Sequence, residues 1–158
     1  MCYINKMNTV SFETPIGRLT IAAENGFITN IFFSGEEPPD NPICADEVVM
    51  SAKKQIEEYF SGKRKVFDLP LITIDTATFG GRVRKAMLEI PFGKTVTYGD
   101  LAARAGNPKA ARAAGSACNR NPIPIIIPCH RVVGKNGNLT GFRGGLDIKR
   151  KLLEVEST

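Results

Sequence analysis

The residues best suited to chemistry lie in the segment PIIIPCHRVV, residues 124–133. Cys129 stands between Pro128 and His130, which is the single histidine of the chain. A thiol reacts as its thiolate, so a base must accept its proton. Neighbouring residues of an extended chain point to opposite sides, and we therefore expect His130 to reach Cys129 through a bridging water. The alternative is that Cys129 only fills the core, as most free cysteines do.

A carboxylate behind the imidazole would orient it, and the candidates are Glu154 and Glu156 in the helix predicted over residues 144–156. The residues alone leave the electrophile open. An acyl carbon would give a thioester that water can release. An alkyl carbon would give a thioether, which has no comparable hydrolytic route, and the protein would be consumed.

Charge is distributed unevenly along the 158 residues. Residues 1–81 carry 7 Lys/Arg and 11 Asp/Glu, whereas residues 82–158 carry 14 Lys/Arg and 5 Asp/Glu. A basic half of this kind indicates a polyanionic partner, nucleic acid first. No apolar run approaches the roughly 20 residues that cross a bilayer, and the first residues lack the apolar core of a signal peptide. We predict a cytoplasmic protein without membrane contact.

The four cysteines, Cys2, Cys44, Cys118 and Cys129, form no C-x-x-C pair. With one histidine available, a metal site has few ligands to draw on. We therefore expect four free thiols, no metal and no cofactor.

The first half of the chain reads as strands followed by a helix. Apolar residues alternate over residues 10–33 around two turn signals, which predicts a hairpin and an antiparallel meander. A polar stretch at 34–42 predicts a loop, and helical spacing predicts a helix over 45–60. KVFDLPLITID, residues 65–75, predicts a further strand with an edge marked by proline.

The second half reads as helices. Residues 79–90 predict one helix, which Pro91 stops. Thr97 with Asp100 predicts a capping box at the start of the next helix, which Gly106 ends.

A third helix is predicted over residues 108–119, with Asn107 as its cap and Pro108 at its first position. Together with the preceding helix it forms a helix-turn-helix. Five alanines and one glycine make it slim, so its backbone can approach a partner closely. Insertion into a groove with Arg112 fits it better than reading bases with long side chains. The alternative is a helix packed tightly against its neighbour.

Several motifs, in order along the chain, resemble the O6-alkylguanine-DNA alkyltransferases, also called methylated-DNA–protein-cysteine methyltransferases. The signature I/V-P-C-H-R-V/I is present at Ile127–Val132. Similar segments cover nearly the whole chain: TPIGRLTIAA (14–23), EYFSGKRKVFDLPL (58–71), NPKAARAAG (107–115), NRNPIPIIIPCHRVVG (119–134) and GGLDIKRKLLEVE (144–156). The resemblance implies an α+β protein. Residues 1–76 would form a ribonuclease-H-like α/β domain with an antiparallel sheet, and residues 77–158 a helical domain of winged-helix type with the helix-turn-helix.

The resemblance also implies catalytic roles. Cys129 would accept the alkyl group, and His130 would act through a water with Glu156 behind it. Tyr98 would give a proton to the leaving guanine and lie at its phosphate. Asn121 would be the hinge between the helix-turn-helix and the active-site turn.

For DNA, the resemblance implies that Arg112 enters the base stack and that Lys135 lies near the backbone. Further DNA contacts are implied for Tyr98, Gly99, Asn107, Ala110, Ala113 and Gly115. The guanine would meet the carbonyls of Val132 and Cys129, and also Phe142 and Arg143. Arg143 is a departure, since some members carry a small hydroxyl residue there, and Arg84 stands where many have tryptophan.

The function implied is DNA repair by a monomer that acts once. It would flip O6-alkylguanine out of double-stranded DNA through the minor groove and transfer the alkyl group irreversibly to Cys129. Two alternatives are a DNA-binding lesion sensor or regulator without transfer, and an unrelated thiol hydrolase.

Overall fold

A computed structural model describes residues 7–36, 38 and 44–157 of the chain. Contacts between residues group them into two compact units, which divide between Ile72 and Thr73. The sequence places the division after residue 76, and that assignment of domains stays a prediction. No helix in the described part of the chain is both long and apolar enough to cross a bilayer.

The first unit contains the predicted antiparallel meander, which is confirmed. Its strands are β1 (Asn8–Thr14), β2 (Gly17–Glu24) and β3 (Phe27–Phe32), in the spatial order β1-β2-β3. Val10 pairs with Ile21 across the first hairpin, and a bulge lies between Ala22 and Ala23 where β2 meets β3. Of the loop predicted at 34–42, residues 37 and 39–42 lie outside the described residues.

Helix α1 (Glu47–Phe60) packs on this sheet, close to the range predicted from periodicity. The side chain of Asp46 caps it by accepting a hydrogen bond from the Val49 amide at 3.0 Å. The core between helix and sheet consists of large apolar side chains that are fully buried: Leu19, Ile21, Ile28, Ile31, Ile56 and Tyr59.

The prediction of a strand over residues 65–75 is wrong. Only one isolated parallel bridge forms there, between Ile28 and Leu71. Pro70 has no N–H to offer a ladder, although its carbonyl accepts from the Ile28 amide at 2.8 Å. The amide of Gln55 instead ties the segment down, since it bonds both the N–H and the carbonyl of Asp68 at 2.9 Å.

The expectation of four free thiols is also wrong, because Cys44 is engaged in a disulfide. Cys118 and Cys129 are free and buried.

The second unit is built from four helices and a two-stranded parallel ladder. The helices are α2 (Phe79–Leu88), α3 (Tyr98–Arg104), α4 (Ala111–Asn119) and α5 (Leu146–Val155). Strands β4 (Val96–Thr97) and β5 (Val132–Val133) pair in parallel. This ladder fixes the start of α3 beside the end of the CHRV segment.

The predicted capping box of α3 is confirmed. Thr97 Oγ1 accepts from the Asp100 amide at 3.1 Å, and Asp100 Oδ2 accepts from the Thr97 amide at 3.3 Å. Helix α4, in contrast, begins three residues later than predicted, and its cap residue Ala110 makes no side-chain bond. Asn107 shapes the preceding turn instead, where its Oδ1 accepts from the Lys109 amide at 3.1 Å.

Helix α5 follows Gly145, whose φ of 97° suits a glycine. Leu146 at the start of this helix is 40% exposed, whereas Lys149 and Leu152 are buried.

Candidate active site and nucleic-acid interface

The segment that leads from α4 to Cys129 is buried and tightly constrained. Asn121 holds it at both ends: its Nδ2 donates to the Ile127 carbonyl at 2.7 Å, and its Oδ1 accepts from the Ile123 amide at 3.1 Å. Ile125 adopts a φ of 73°, a left-handed conformation that costs a β-branched residue about 1–3 kcal/mol. The packing around this fully buried residue must therefore hold it in place.

Cys129, His130 and Arg131 form one turn of 3-10 helix rather than the extended chain expected from the sequence. Cys129 is 7% exposed, so its surface is small but not sealed. Burial raises the pKa of the Cys129 thiol, and Asn121, Lys149 and Arg143 act in the opposite direction. The resting group is therefore a thiol that needs a base.

Glu156, the C-cap residue of α5, binds the side chains of the two residues that follow Cys129. Its Oε2 lies 2.6 Å from His130 Nε2, and its Oε1 accepts from Arg131 Nε at 2.8 Å and from the Gly93 amide at 3.0 Å. Arg131 also donates to the Ile90 carbonyl at 2.6 Å. Of the two carboxylates that the sequence offered, Glu156 is buried at the imidazole, whereas Glu154 is exposed.

His130 is fully buried, and desolvation lowers the pKa of its imidazole despite the carboxylate of Glu156. A neutral ring that donates from Nε2 to Glu156 keeps a lone pair on Nδ1. Nδ1 has no hydrogen-bond partner among the residues that the structure describes. The ring can therefore accept a proton at Nδ1.

Tyr98 and Lys149 form a second polar group near Cys129. The Tyr98 hydroxyl donates to the Thr140 carbonyl at 2.7 Å, and burial raises its pKa. Lys149 Nζ donates to the Val132 carbonyl at 2.6 Å and lies 3.4 Å from the Tyr98 hydroxyl. Desolvation lowers the pKa of Lys149, whereas Cys129 raises it. A buried ammonium beside the thiol favours the thiolate.

An open cleft of about 330 Å³ lies over Tyr98 and α4. Its lining is Tyr98, Ala111, Arg112, Gly115, Asn119, Thr140 and Gly141. Cys129 does not line this cleft. Tyr98 connects the cleft with Cys129, because Tyr98 lines the cleft and contacts Lys149, whose pKa Cys129 raises.

The residues predicted to contact DNA differ in their exposure to solvent. Arg112, Ala113, Asn107 and Lys135 are exposed, whereas Gly99, Ala110 and Gly115 are half-buried. Gly115 lies against the Tyr98 ring, where an added Cβ would stand 3.6 Å from the nearest ring carbon.

Among the residues predicted to meet the base, the carbonyls of Val132 and Cys129 already accept one bond each, from Lys149 Nζ and from the Val132 amide. Phe142 is half-buried. Arg143 Nη1 donates to the Asn121 carbonyl at 2.9 Å, which brings a cation close to the Cys129 thiol.

The sequence did not lead us to predict a role for Lys149 or the structural role of Arg131. A signal for Lys149 was present, since it falls on the same stripe of α5 as Leu152 and Glu156, where an unpaired charge is rare. Nothing local pointed to Arg131, because its partners Glu156 and Ile90 are distant in sequence.

The fold and site define a class: a two-unit α+β protein whose second unit joins a helix-turn-helix to a buried thiol, an imidazole and a carboxylate. The 6-O-methylguanine DNA methyltransferase ribonuclease-like domain matches residues 8–73, and the DNA binding domain of the same family matches residues 78–158. The chain belongs to this family.

Similar proteins extend over nearly the full chain. A methylated-DNA–protein-cysteine methyltransferase of Methanosarcina acetivorans is 48% identical over 93% of this chain and 96% of its own. The constitutive protein of that name from Bacillus subtilis is 44% identical over 91% and 92%. The crystal structure of Mycobacterium tuberculosis OGT in complex with DNA is 40% identical with a TM-score of 0.85, and covers 95% of this chain and 92% of that one.

Proposed function

We propose that this protein repairs O6-alkylguanine in double-stranded DNA by transferring the alkyl group to Cys129, once per molecule. Its main support is that Cys129 directly precedes His130, whose neutral imidazole is held by the buried carboxylate of Glu156. The names of the similar proteins support this assignment.

Alkyl transfer begins with deprotonation of the thiol. The Cys129 proton passes to His130 Nδ1 through a bridging water, and Glu156 stabilises the imidazolium that results. The sulfur then attacks the alkyl carbon, the bond from that carbon to O6 breaks, and its electron pair returns to the guanine ring. The thioether formed has no hydrolytic route, so the protein is consumed.

Tyr98 provides the proton for the departing guanine and lies at its phosphate. Its raised pKa keeps the hydroxyl protonated until negative charge develops on the base. Lys149, 3.4 Å from that hydroxyl, stabilises the phenolate as the proton leaves and stabilises the Cys129 thiolate before attack.

The base meets the carbonyls of Cys129 and Val132 together with Phe142 and Arg143. A carbonyl oxygen has two lone pairs, so the bond from Lys149 leaves Val132 able to accept from a guanine amino group. Arg143 provides a cation where some relatives place a hydroxyl, and a guanidinium suits guanine O6 and N7.

Helix α4 enters the minor groove, and Arg112 takes the place of the flipped nucleotide in the stack. Extruding a base costs a few kcal/mol, which groove insertion offsets. Asn121 links this helix to the turn that bears Cys129. Phosphate contacts come from Tyr98, Gly99, Asn107, Ala110, Ala113, Gly115 and Lys135.

We also propose that the protein acts as a monomer in the cytoplasm, where its substrate DNA and a reduced acceptor thiol occur together.

Intact-mass measurement after incubation with duplex DNA that carries O6-methylguanine tests the proposal. One added methyl group per chain, mapped to Cys129, is the expected result. An unchanged mass with DNA still bound would favour a lesion sensor, and repeated turnover would favour a hydrolase.

A further inference from the structure

A second cleft, of about 350 Å³, lies in the second unit between α2 and the end of α3. Its lining is Thr76, Arg82, Lys85, Ala86, Glu89 and Arg104. Three of these residues are cations and one is a carboxylate, so the cleft carries a net positive charge. None of them belongs to the acceptor site or to the cleft over Tyr98.

Arg82 is held in place at the wall of this cleft. Its Nε donates to the Ala105 carbonyl at 3.0 Å, and its Nη1 donates to the Thr76 and Ala77 carbonyls at 3.2 Å. The guanidinium also stands 5.9 Å from the Phe79 ring centroid. Arg82 forms no ion pair with a carboxylate in the described part of the chain, so its charge is not neutralised there.

Lys85 and Arg104 are exposed and form no ion pair with any residue in the described part of the chain. Glu89 likewise pairs with neither of them. Exposed cations that face one cleft without a partner repel each other, and a shared anion relieves that repulsion. The cleft therefore has the charge and the concave shape that suit an anionic group.

The position of the cleft indicates which anion it meets. Arg104 ends α3, and the Ala105 carbonyl that holds Arg82 lies two residues before Asn107, in the turn between α3 and α4. That turn leads directly into α4. The first helix of a helix-turn-helix crosses the DNA backbone, and α3 is the first helix here, so we expect the backbone to pass close to this turn.

We propose that the α2–α3 cleft binds a phosphodiester group of the DNA backbone, outside the nucleotide that carries the lesion. The inference rests on the proposed function only in taking DNA as the partner. Lys85 and Arg104 contact the phosphate, while Arg82 adds charge and fixes the wall. Glu89 weakens the site and limits its affinity for anions.

The test compares the doubly substituted Lys85→Gln/Arg104→Gln protein with the unmodified one. Arg82 is left intact, because its loss would release α2 from α3. Binding to a duplex that carries O6-methylguanine is measured over a series of NaCl concentrations. Loss of one phosphate contact should reduce the salt slope by about 0.9 and weaken binding roughly fivefold or more near 0.1 M salt.

Two single variants sharpen the result. Glu89→Gln removes the only carboxylate of the cleft and should tighten DNA binding. Lys54→Gln removes an exposed cation from α1 and should leave the salt slope unchanged. The rate of transfer from free O6-benzylguanine, which has no phosphate, should be the same in all variants.

A double variant with the unmodified salt slope and affinity would overturn the proposal. The proposal would also fail if inorganic phosphate stabilised the unmodified protein against heat but not the double variant, while the salt slope of DNA binding was the same in both. The cleft would then bind a free anion only. If the slope falls but no methyl group reaches Cys129 in the unmodified protein, the cleft stands and the proposed function fails.

Discussion

The two units of this protein bury different kinds of residues. In the first unit the described interior is apolar apart from the uncharged side chains of Thr9, Thr20 and Gln55. In the second unit the interior includes four acidic or basic side chains, those of His130, Arg131, Lys149 and Glu156, in addition to the thiols of Cys118 and Cys129.

The buried groups of the first unit are suited to stabilising the fold, whereas those of the second unit are also suited to chemistry. Burial of apolar side chains stabilises a unit in proportion to area, and most of the buried residues of the first unit are of this kind. Buried charges are costly unless they are paired, so their presence around Cys129 indicates that the second unit gives up stability for reactivity. Substitutions in the two units should accordingly change different measurements.

The largest effect is expected from Cys129→Ala, which should abolish alkyl transfer and leave affinity for duplex DNA largely unchanged. Cys118→Ala is the matched control, because Cys118 is also a buried free thiol. Burial raises the pKa of Cys118 to about 12, so it should contribute nothing as a nucleophile. Transfer that persists without Cys129 would end the assignment of this residue as acceptor.

Glu156→Gln should reduce both stability and rate. It leaves the Arg131 guanidinium buried without a counter-charge, which is expected to destabilise the protein by about 3–5 kcal/mol. It also deprives the His130 imidazolium of its carboxylate. Denaturant unfolding and single-turnover kinetics measure the two effects. Glu154→Gln, on an exposed site of the same helix, should change neither, and equal losses in both variants would refute the role of the network.

Arg112→Ala should slow repair of duplex DNA while leaving the reaction with free O6-benzylguanine nearly unchanged. If Arg112 offsets roughly 2–3 kcal/mol of unstacking, the rate on duplex DNA falls about a hundredfold. Equal slowing with both substrates would contradict a role in base flipping.

The pH dependence reports on His130. Burial lowers the pKa of the imidazole from 6.5, so the ring is still neutral at pH 6.5. The rate of transfer should therefore be level as the pH falls through 6.5, and should decrease only at lower pH. Stability should decline in the same direction, since the unfolded chain binds a proton that the folded imidazole resists. A rate that halves at pH 6.5 or above would contradict this environment.

The smallest effect is expected in the first unit. Ile21→Val removes one methylene group from a fully buried side chain and should lower stability by about 0.5–1.5 kcal/mol. The transfer rate of the folded protein should not change. A changed rate constant at full folding would break the separation between the two units.

How far the sequence predicts each feature depends on the range of the interactions behind it. The meander and the Thr97–Asp100 box are local, and the sequence predicted both correctly. The prediction of a strand at residues 65–75 is wrong because the Gln55 side-chain amide bonds the backbone N–H and carbonyl of Asp68, which a strand would use for its ladder.

The site divides in the same way. The motif around Cys129 is contiguous and could be read directly. The burial of Lys149 and the bond from Arg131 to the Ile90 carbonyl arise only where α5 and the residues after α2 meet the 3-10 turn and β5 in the folded chain. No local pattern encodes those contacts.

The number of methyl groups that each protein molecule accepts can be measured directly. A fixed amount of protein is titrated with excess duplex that carries radiolabelled O6-methylguanine, and the label bound to protein is counted at completion. We expect a plateau of one methyl group per chain, recovered in the peptide that contains Cys129. Continued loss of lesion beyond that plateau, or label on another residue, would contradict it.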